Sequence, residues 1–190
     1  EGFEAGVDLT PSSGVKLSLT AFDNRVKNAV ANVTLGTNLR QRRNIDAIRA
    51  RGLEAAASAN VGRLSFDASA SWTDAEARGS GFAAVLDGNR PSQTPRFVGG
   101  ASLAWRPAEA WLLSATIRHV GAQFEDDRET NILPAATTLD AYAQIPLLRD
   151  VALVLRGENL TDETIITRNQ SGSIDLGVPR TVWAGVKIGL

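Results

Sequence analysis

A single histidine, His119, stands in the whole sequence, so any imidazole chemistry would run through it. A Ser-His-acid hydrolase needs a hydroxyl beside the ring and a third group to orient it. Ser114 and Thr116 are near in sequence, but strict alternation puts them on the face opposite His119. Geometry precedes residue type, so no catalytic residue is assigned and the chain reads as a non-enzyme. Residues 79–84 (GSGFAA) imitate a dinucleotide-binding glycine fingerprint. No βαβ pattern surrounds them, and they read as a flexible loop. The oxygens of Glu125, Asp126 and Asp127 could suit a hard cation. The glycine-containing loop of such a site is missing, so the run reads as a solvated loop tip. No cofactor and no metal are expected.

Arginine is the other candidate chemistry. Arg40, Arg42 and Arg43, with Arg49 and Arg51 close behind, form the densest charge feature. Guanidinium groups bind anions in a bidentate fork, although surface arginines also serve simply to keep a loop soluble. Arg168, followed by Asn169 and Gln170, is a second and smaller candidate.

These side chains need elements to position them, and the bulk properties narrow the choice. With 20 basic and 21 acidic residues the net charge is -1, so no nucleic-acid partner is expected. The absence of cysteine excludes a disulfide framework and thiolate metal sites. Hydrophobic residues make up 43% and the mean hydropathy is -0.09. No apolar run is long enough for a membrane helix, whereas alternating barrel strands average out to neutral hydropathy. The chain starts at Glu1, contains no Met and shows no signal peptide, so a processed form or a fragment is expected.

Alternation dominates the sequence. Phe97, Gly99, Ala101, Leu103 and Trp105 share one face, opposite Val98, Gly100, Ser102, Ala104 and Arg106. Residues 63–73, 111–118 and 181–190 repeat the pattern, and weaker versions fall at 2–9, 14–27, 45–61, 136–145 and 150–159. Period two is the mark of a strand, because successive side chains point to opposite faces. The expectation is an all-β, antiparallel up-and-down meander of about nine strands. Residues 45–61 include the helix-favouring run 54–57 (EAAA), but Gly52 and the strand neighbours argue for strand.

The connections alternate too. Tight turns are expected at 10–14, at Gly62, at 107–110 and at 146–149, and long ones near 29–44, 77–94, 124–135 and 160–178. Short turns on one side and long loops on the other are the habit of an outer-membrane barrel. About nine is an odd count, whereas bacterial single-chain barrels have even counts, and an open sheet cannot span a membrane, so these strands are expected to be part of a larger barrel. Aromatics at Phe66, Trp72, Phe97, Trp105 and Trp111 bracket the apolar stripes, as interfacial girdles do. The polar face would line a wet lumen.

Four segments carry a family resemblance: 51–54 (RGLE), 91–97 (PSQTPRF), 159–163 (NLTDE) and 179–181 (PRT). In this order the chain resembles the C-terminal portion of a TonB-dependent outer-membrane receptor barrel, across residues 1–190. The resemblance implies a barrel of about 22 strands around a plug domain that this chain does not contain. It implies a bacterial outer-membrane location, short turns in the periplasm and long loops outside. Its structural motif residues would be Arg51, Gly52, Glu54, Asn159, Asp162, Pro179 and Arg180. Gly52 would relieve crowding in a strand, Pro179 would tolerate a strand start, and Asn159 would close a turn.

The implied function is uptake of a scarce nutrient, with a ferric siderophore as the leading class. The implied partners are outer-membrane lipid, the TonB energising complex acting through the missing plug, and the barrel-assembly machinery. Arg40, Arg42, Arg43 and Arg168 become candidate contacts for a ferric chelate or for lipopolysaccharide phosphates. Without a plug the chain is not expected to drive transport alone, nor to fold stably with both sheet edges unpaired. Two features depart from the family: the chain ends in Leu190 rather than an aromatic, and Ile165 and Ile166 stand where an aromatic is common. Weaker recognition by the assembly machinery is expected from the first. A passive channel and a soluble β-rich binding module are the alternatives.

Overall fold

In the computed structural model, which describes residues 1–36, 39–170 and 172–189, strands account for most of the chain. They are β1 (Gly2–Ser12), β2 (Val15–Lys27), β3 (Val30–Gly36), β4 (Leu39–Asn44), β5 (Ala47–Val61), β6 (Leu64–Arg78), β7 (Phe97–Trp105), β8 (Leu112–Val120), β9 (Gln123–Phe124), β10 (Ile132–Leu133), β11 (Ala136–Leu148), β12 (Val151–Glu158), β13 (Ile166–Gln170), β14 (Ser173–Leu176) and β15 (Thr181–Ile188). Nine of them form one antiparallel sheet in the order β1-β2-β5-β6-β7-β8-β11-β12-β15. This is a meander with hairpins inserted, and all nine expected strands are present.

Register shows why the sequence alternates. One continuous cross-strand row reads Leu9, Leu17, Ala57, Ala68, Ala101, Ile117 and Leu139. The row beside it on the opposite face reads Lys16, Ser58, Asp67, Ser102, Thr116 and Asp140. A slip of one residue would swap the two faces, so the pattern itself pins the pairing. The polar face lines a hollow of about 1200 Å³ that Thr20, Glu54, Asp67, Ser71 and Arg118 border. The apolar face stays bare: Phe3 is 82% exposed, Val182 70% and Ile188 78%. A soluble module would bury that face. A lipid-facing wall leaves it to the bilayer.

Closure follows from the same physics. Among the described residues, the edge strands β1 and β15 each pair on one side only. Hydrocarbon offers nothing to a bare N–H or C=O, so a membrane-spanning sheet of this kind is completed by further strands.

The structure corrects several expectations. Strand β6 runs on to Arg78, beyond the expected end at residue 73. It and β5 are each 15 residues long, more than the ~10 that cross a bilayer, so their ends rise above it. That surplus carries the charges Arg49, Arg51, Asp74 and Glu76. Two prolines expected in turns lie in strands instead, Pro11 in β1 and Pro146 in β11. Each sits where the register shifts, between Leu9 and Ser12 and between Pro146 and Leu148. At such an irregularity a missing N–H costs little of the ladder.

The long connections are not plain loops. β3 pairs with β4, β9 with β10, and β13 with β14. The glycine-rich run becomes a short 3-10 helix, Gly81–Leu86, rather than a flexible loop. Ala83 and Leu86 of that helix bury themselves against Ala29, Val33, Ile45 and Ala77. This small cluster lies at the end of the sheet that carries the long connections, termed the outer end below, and is the one hydrophobic core found among the described residues. The apolar stripe expected to finish at Leu190 is present through Ile188, and Leu190 lies outside the described residues. So do Thr37 and Asn38 of the first long connection.

Candidate functional site

Chemistry-bearing side chains gather at the outer end of the sheet. His119 sits on the outward face, paired in register with Thr137, and its Nδ1 lies 2.8 Å from the Thr137 hydroxyl. Its ring packs 5.8 Å from that of Phe97, which in turn faces Trp72 across the strands. Thr116 belongs to the inner face, where its hydroxyl lies 2.8 Å from that of Ser102. The imidazole is thus part of an outward aromatic girdle, with one end apolar and one end wet.

The four motif segments resolve into two assemblies. In the first, Arg51 on β5 donates through Nε and Nη2 to Asp74 on β6, the latter at 2.9 Å, and Arg96 approaches the same carboxylate at 3.7 Å. Gly52 faces inward, directly opposite Phe22. A Cβ there would stand 2.2 Å from the Trp72 carbonyl oxygen and under 3 Å from the Phe22 ring. Glu54 lies between Thr20 and Ser71 on the wall of the hollow.

The second assembly joins residues 159–163 to 179–181. Asn159, only 3% exposed, has the left-handed φ of 47° that Asn tolerates best among residues with side chains. Its Nδ2 donates to the carbonyls of Glu163 (2.9 Å) and Val178 (3.0 Å), while its Oδ1 accepts from the Glu163 N–H and the Thr161 hydroxyl. Its own backbone N–H donates to Asp140. Asp162, also left-handed with φ 57°, pairs with Arg180 at 2.9 Å. Pro179 leads into β15 and accepts the Thr181 hydroxyl at its carbonyl. One asparagine therefore ties the end of β12 to the entry of β15.

The candidate arginines part company. Arg43 stacks over the Phe82 ring at 4.6 Å and donates to Gln41. Arg42 instead lines a cavity of about 330 Å³, together with Arg90, Asn32, Ser92 and Asp127. Arg40 lies on the same strand, paired with Thr34, close enough to act electrostatically on Asp127. Arg168 belongs to the separate β13–β14 hairpin, where it contacts Gln170 and Asp175. The structure does not bring it to the other three.

The acidic run is not a solvated tip. Asp126 is 3% exposed and Asp127 8% exposed. Asp126 is a staple: its two oxygens accept the N–H groups of Arg128, Thr130 and Asn131, the Thr130 hydroxyl and the Asn131 amide. Burial pushes its carboxyl up, but those hydrogen bonds outweigh the burial and hold it below the ordinary carboxylate value. The Asp127 side-chain oxygens find no hydrogen-bond partner in any other described residue. Burial, with Asp126 beside it, drives its carboxyl above the ordinary value, against the pull of its own backbone N–H and of the Arg40 charge. The Asp127 carbonyl accepts from Asn89 at 3.1 Å, and Glu129 accepts the Arg90 N–H at 2.8 Å, so this loop is tied to residues 89–90. The sequence reading missed Arg90 and Asp127 as a set, because they are 37 positions apart and only the loop packing joins them.

The two carboxyls predict a two-stage response to acid. A raised value in the folded loop favours protonation, so the Asp127 contribution is present below the ordinary value of 3.8 and is lost as pH rises through its folded value. The lowered value of Asp126 acts oppositely, present above 3.8 and lost as pH falls through the folded value. Acidification should therefore first raise and then lower amide-exchange protection at Thr130 and Asn131, after correction for intrinsic rates. A protection factor that only declines with acid would contradict the assignment of Asp127.

An antiparallel meander with a polar inner wall, an apolar outer wall, aromatic girdles and elaborated loops at one end defines an outer-membrane barrel wall. The sequence matches the family described as TonB dependent receptor-like, beta-barrel over residues 1–160, and the chain belongs to that family. Barrels of this family are outer-membrane proteins. The fold agrees with solved receptors. The siderophore receptor PiuA from Acinetobacter baumannii matches with a TM-score of 0.82 at 16% identity, over 98% of this chain and 28% of its own. The ferric yersiniabactin uptake receptor FyuA from Yersinia pestis gives 0.83 at 19% identity, over 100% of this chain and 29% of its own. The copper transporter OprC gives 0.78 at 16% identity, over 100% and 30%. The chain thus spans under a third of the length of these structures. A comparison with curated proteins finds no match.

Proposed function

We propose that this chain is the C-terminal wall of a TonB-dependent receptor that takes up a scarce nutrient, with a ferric siderophore as the substrate class. The observation that carries the reading is the division of the sheet into a polar row and an apolar row over successive strands. Such a wall holds water on one side and lipid on the other. Arginines at the outer mouth, Arg42 and Arg90 among them, suit an anionic chelate. PiuA and FyuA bear names of siderophore and ferric yersiniabactin uptake, and both share this fold. The barrel-assembly machinery would insert the wall. A plug outside this chain would couple it to TonB. Gly52, Asn159, Asp162, Pro179 and Arg180 serve the wall structurally in this reading.

The test is radioiron uptake by cells carrying the whole receptor that contains this chain, with and without TonB. Uptake of a ferric chelate that disappears without TonB is expected. Copper uptake in its place, after the manner of the OprC name, would replace the substrate class. Ion conductance in planar bilayers without any TonB-dependent uptake would replace the receptor with a passive channel.

A further inference from the structure

The cavity at the outer end holds charges of opposite sign that do not meet. Asp127 is more than nine-tenths buried, borders the cavity, and has no hydrogen-bond partner in any other described residue on either oxygen. Arg42 and Arg90 border the same space, and neither makes an ion pair among the described residues. Arg90 is held in place from behind: its guanidinium lies over the Phe124 ring at 5.0 Å and its N–H donates to Glu129. A buried carboxylate without donors is costly, and folded proteins rarely tolerate one without a reason.

The charge pattern selects the ligand. A simple cation would be repelled by two guanidinium groups. A simple anion would leave Asp127 without a donor. One carboxylate facing two cations is also a poor metal site. A group that bridges the space must offer an ammonium to Asp127 and a carboxylate to the arginines. The remaining lining is mostly apolar, with Val30, Ile45, Ile48 and Leu86 the largest groups, and adds the uncharged polar side chains of Asn32 and Ser92. A volume of about 330 Å³ is at the small end of ligand pockets.

We propose that this cavity is a subsite for an α-amino-acid zwitterion with an apolar side chain, free or carried as the end group of a larger ligand. The ammonium would donate to Asp127, the carboxylate would lie against Arg42 and Arg90, and the side chain would rest on Ile45, Ile48 and Leu86. The inference rests on the receptor reading, which places this mouth toward the medium.

The test uses the whole receptor in detergent micelles and three probes of one shape: L-leucine, N-acetyl-L-leucine and isopentylamine. Titration calorimetry should detect leucine and find both single-charge analogues at least tenfold weaker. Asp127→Asn and Arg42→Gln should each weaken leucine at least tenfold, with the folded barrel band on unheated gels unchanged. Asp127→Asn keeps the size of the side chain and removes only its charge, and the unheated-gel band reads the fold apart from the binding. Equal binding of leucine and its acetyl form, or leucine binding that survives both substitutions, would overturn the proposal. No heat from leucine, together with binding of a ferric chelate bearing an amino-acid end group that neither substitution weakens, would overturn it as well. Binding of that chelate that Asp127→Asn and Arg42→Gln each weaken at least tenfold, without binding of free leucine, assigns the subsite to an end group. Ferric-chelate uptake is read separately, so loss of that uptake with leucine binding intact would fault the substrate class and leave this subsite standing.

Discussion

Asn159→Ala is expected to cost the folded receptor about 3 kcal/mol, because it strands several buried partners at once. The amide closes contacts to Glu163, Val178 and Thr161, and a methyl group replaces none of them. Alanine also tolerates a φ of 47° less well than asparagine. Asn159→Asp keeps the two accepted bonds and loses the two donated ones, so it should fall between wild type and alanine. Asp162→Ala is the contrasting case. Its partner Arg180 is 52% exposed and Asp162 itself 55% exposed, and such surface pairs are worth about 0.2–1 kcal/mol, to which alanine at the left-handed φ of 57° adds the same kind of backbone cost as at Asn159. Urea unfolding of the whole receptor in micelles should rank the three as Asn159→Ala, Asn159→Asp, Asp162→Ala, from worst to mildest. If Asp162→Asn, which keeps a residue that tolerates the left-handed φ and loses only the charge, proved as damaging as Asn159→Ala, the join would depend on the ion pair and not on the buried amide.

That ranking bears on what a sequence discloses. The nine strands were legible because each long strand faces two different solvents, and the alternation that serves those solvents is written residue by residue in runs such as 97–105. The motif residues Asn159 and Arg180 were legible as types suited to turns and strand entries. Their placement in one assembly was not, since it depends on β12 and β15 being neighbours. The loop hairpins were hidden for another reason. The small core at the outer end uses alanines, Ala29, Ala77 and Ala83, alongside Val33, Ile45 and Leu86. Alanine carries little hydrophobic signal, and the partners come from two separate connections, β2 to β5 and β6 to β7. The acidic run misled for the same reason. Composition reads three acids as solvated, and only the packing of residues 89–90 against the loop shows two of them buried.

The strand interior yields the second large effect. Gly52→Val is expected to lower stability of the whole receptor by about 1–3 kcal/mol through overpacking, and to reduce the yield of folded barrel. The obstruction is backbone as well as side chain. The Trp72 carbonyl oxygen would stand 2.2 Å from the new Cβ and belongs to the β5–β6 ladder, so it cannot swing away. The Phe22 ring could, but it occupies the space over Gly52 that a side chain would otherwise fill. Glycine in a strand ordinarily weakens it, and a neighbouring aromatic that covers the bare backbone offsets that cost. The double variant Gly52→Val with Phe22→Ala separates the two obstructions. If the ring were the main obstacle, the double variant would recover most of the lost stability. If the carbonyl dominates, as the shorter distance requires, the double variant stays at least as unstable as Gly52→Val alone, because the ring's cover is lost and the backbone clash remains.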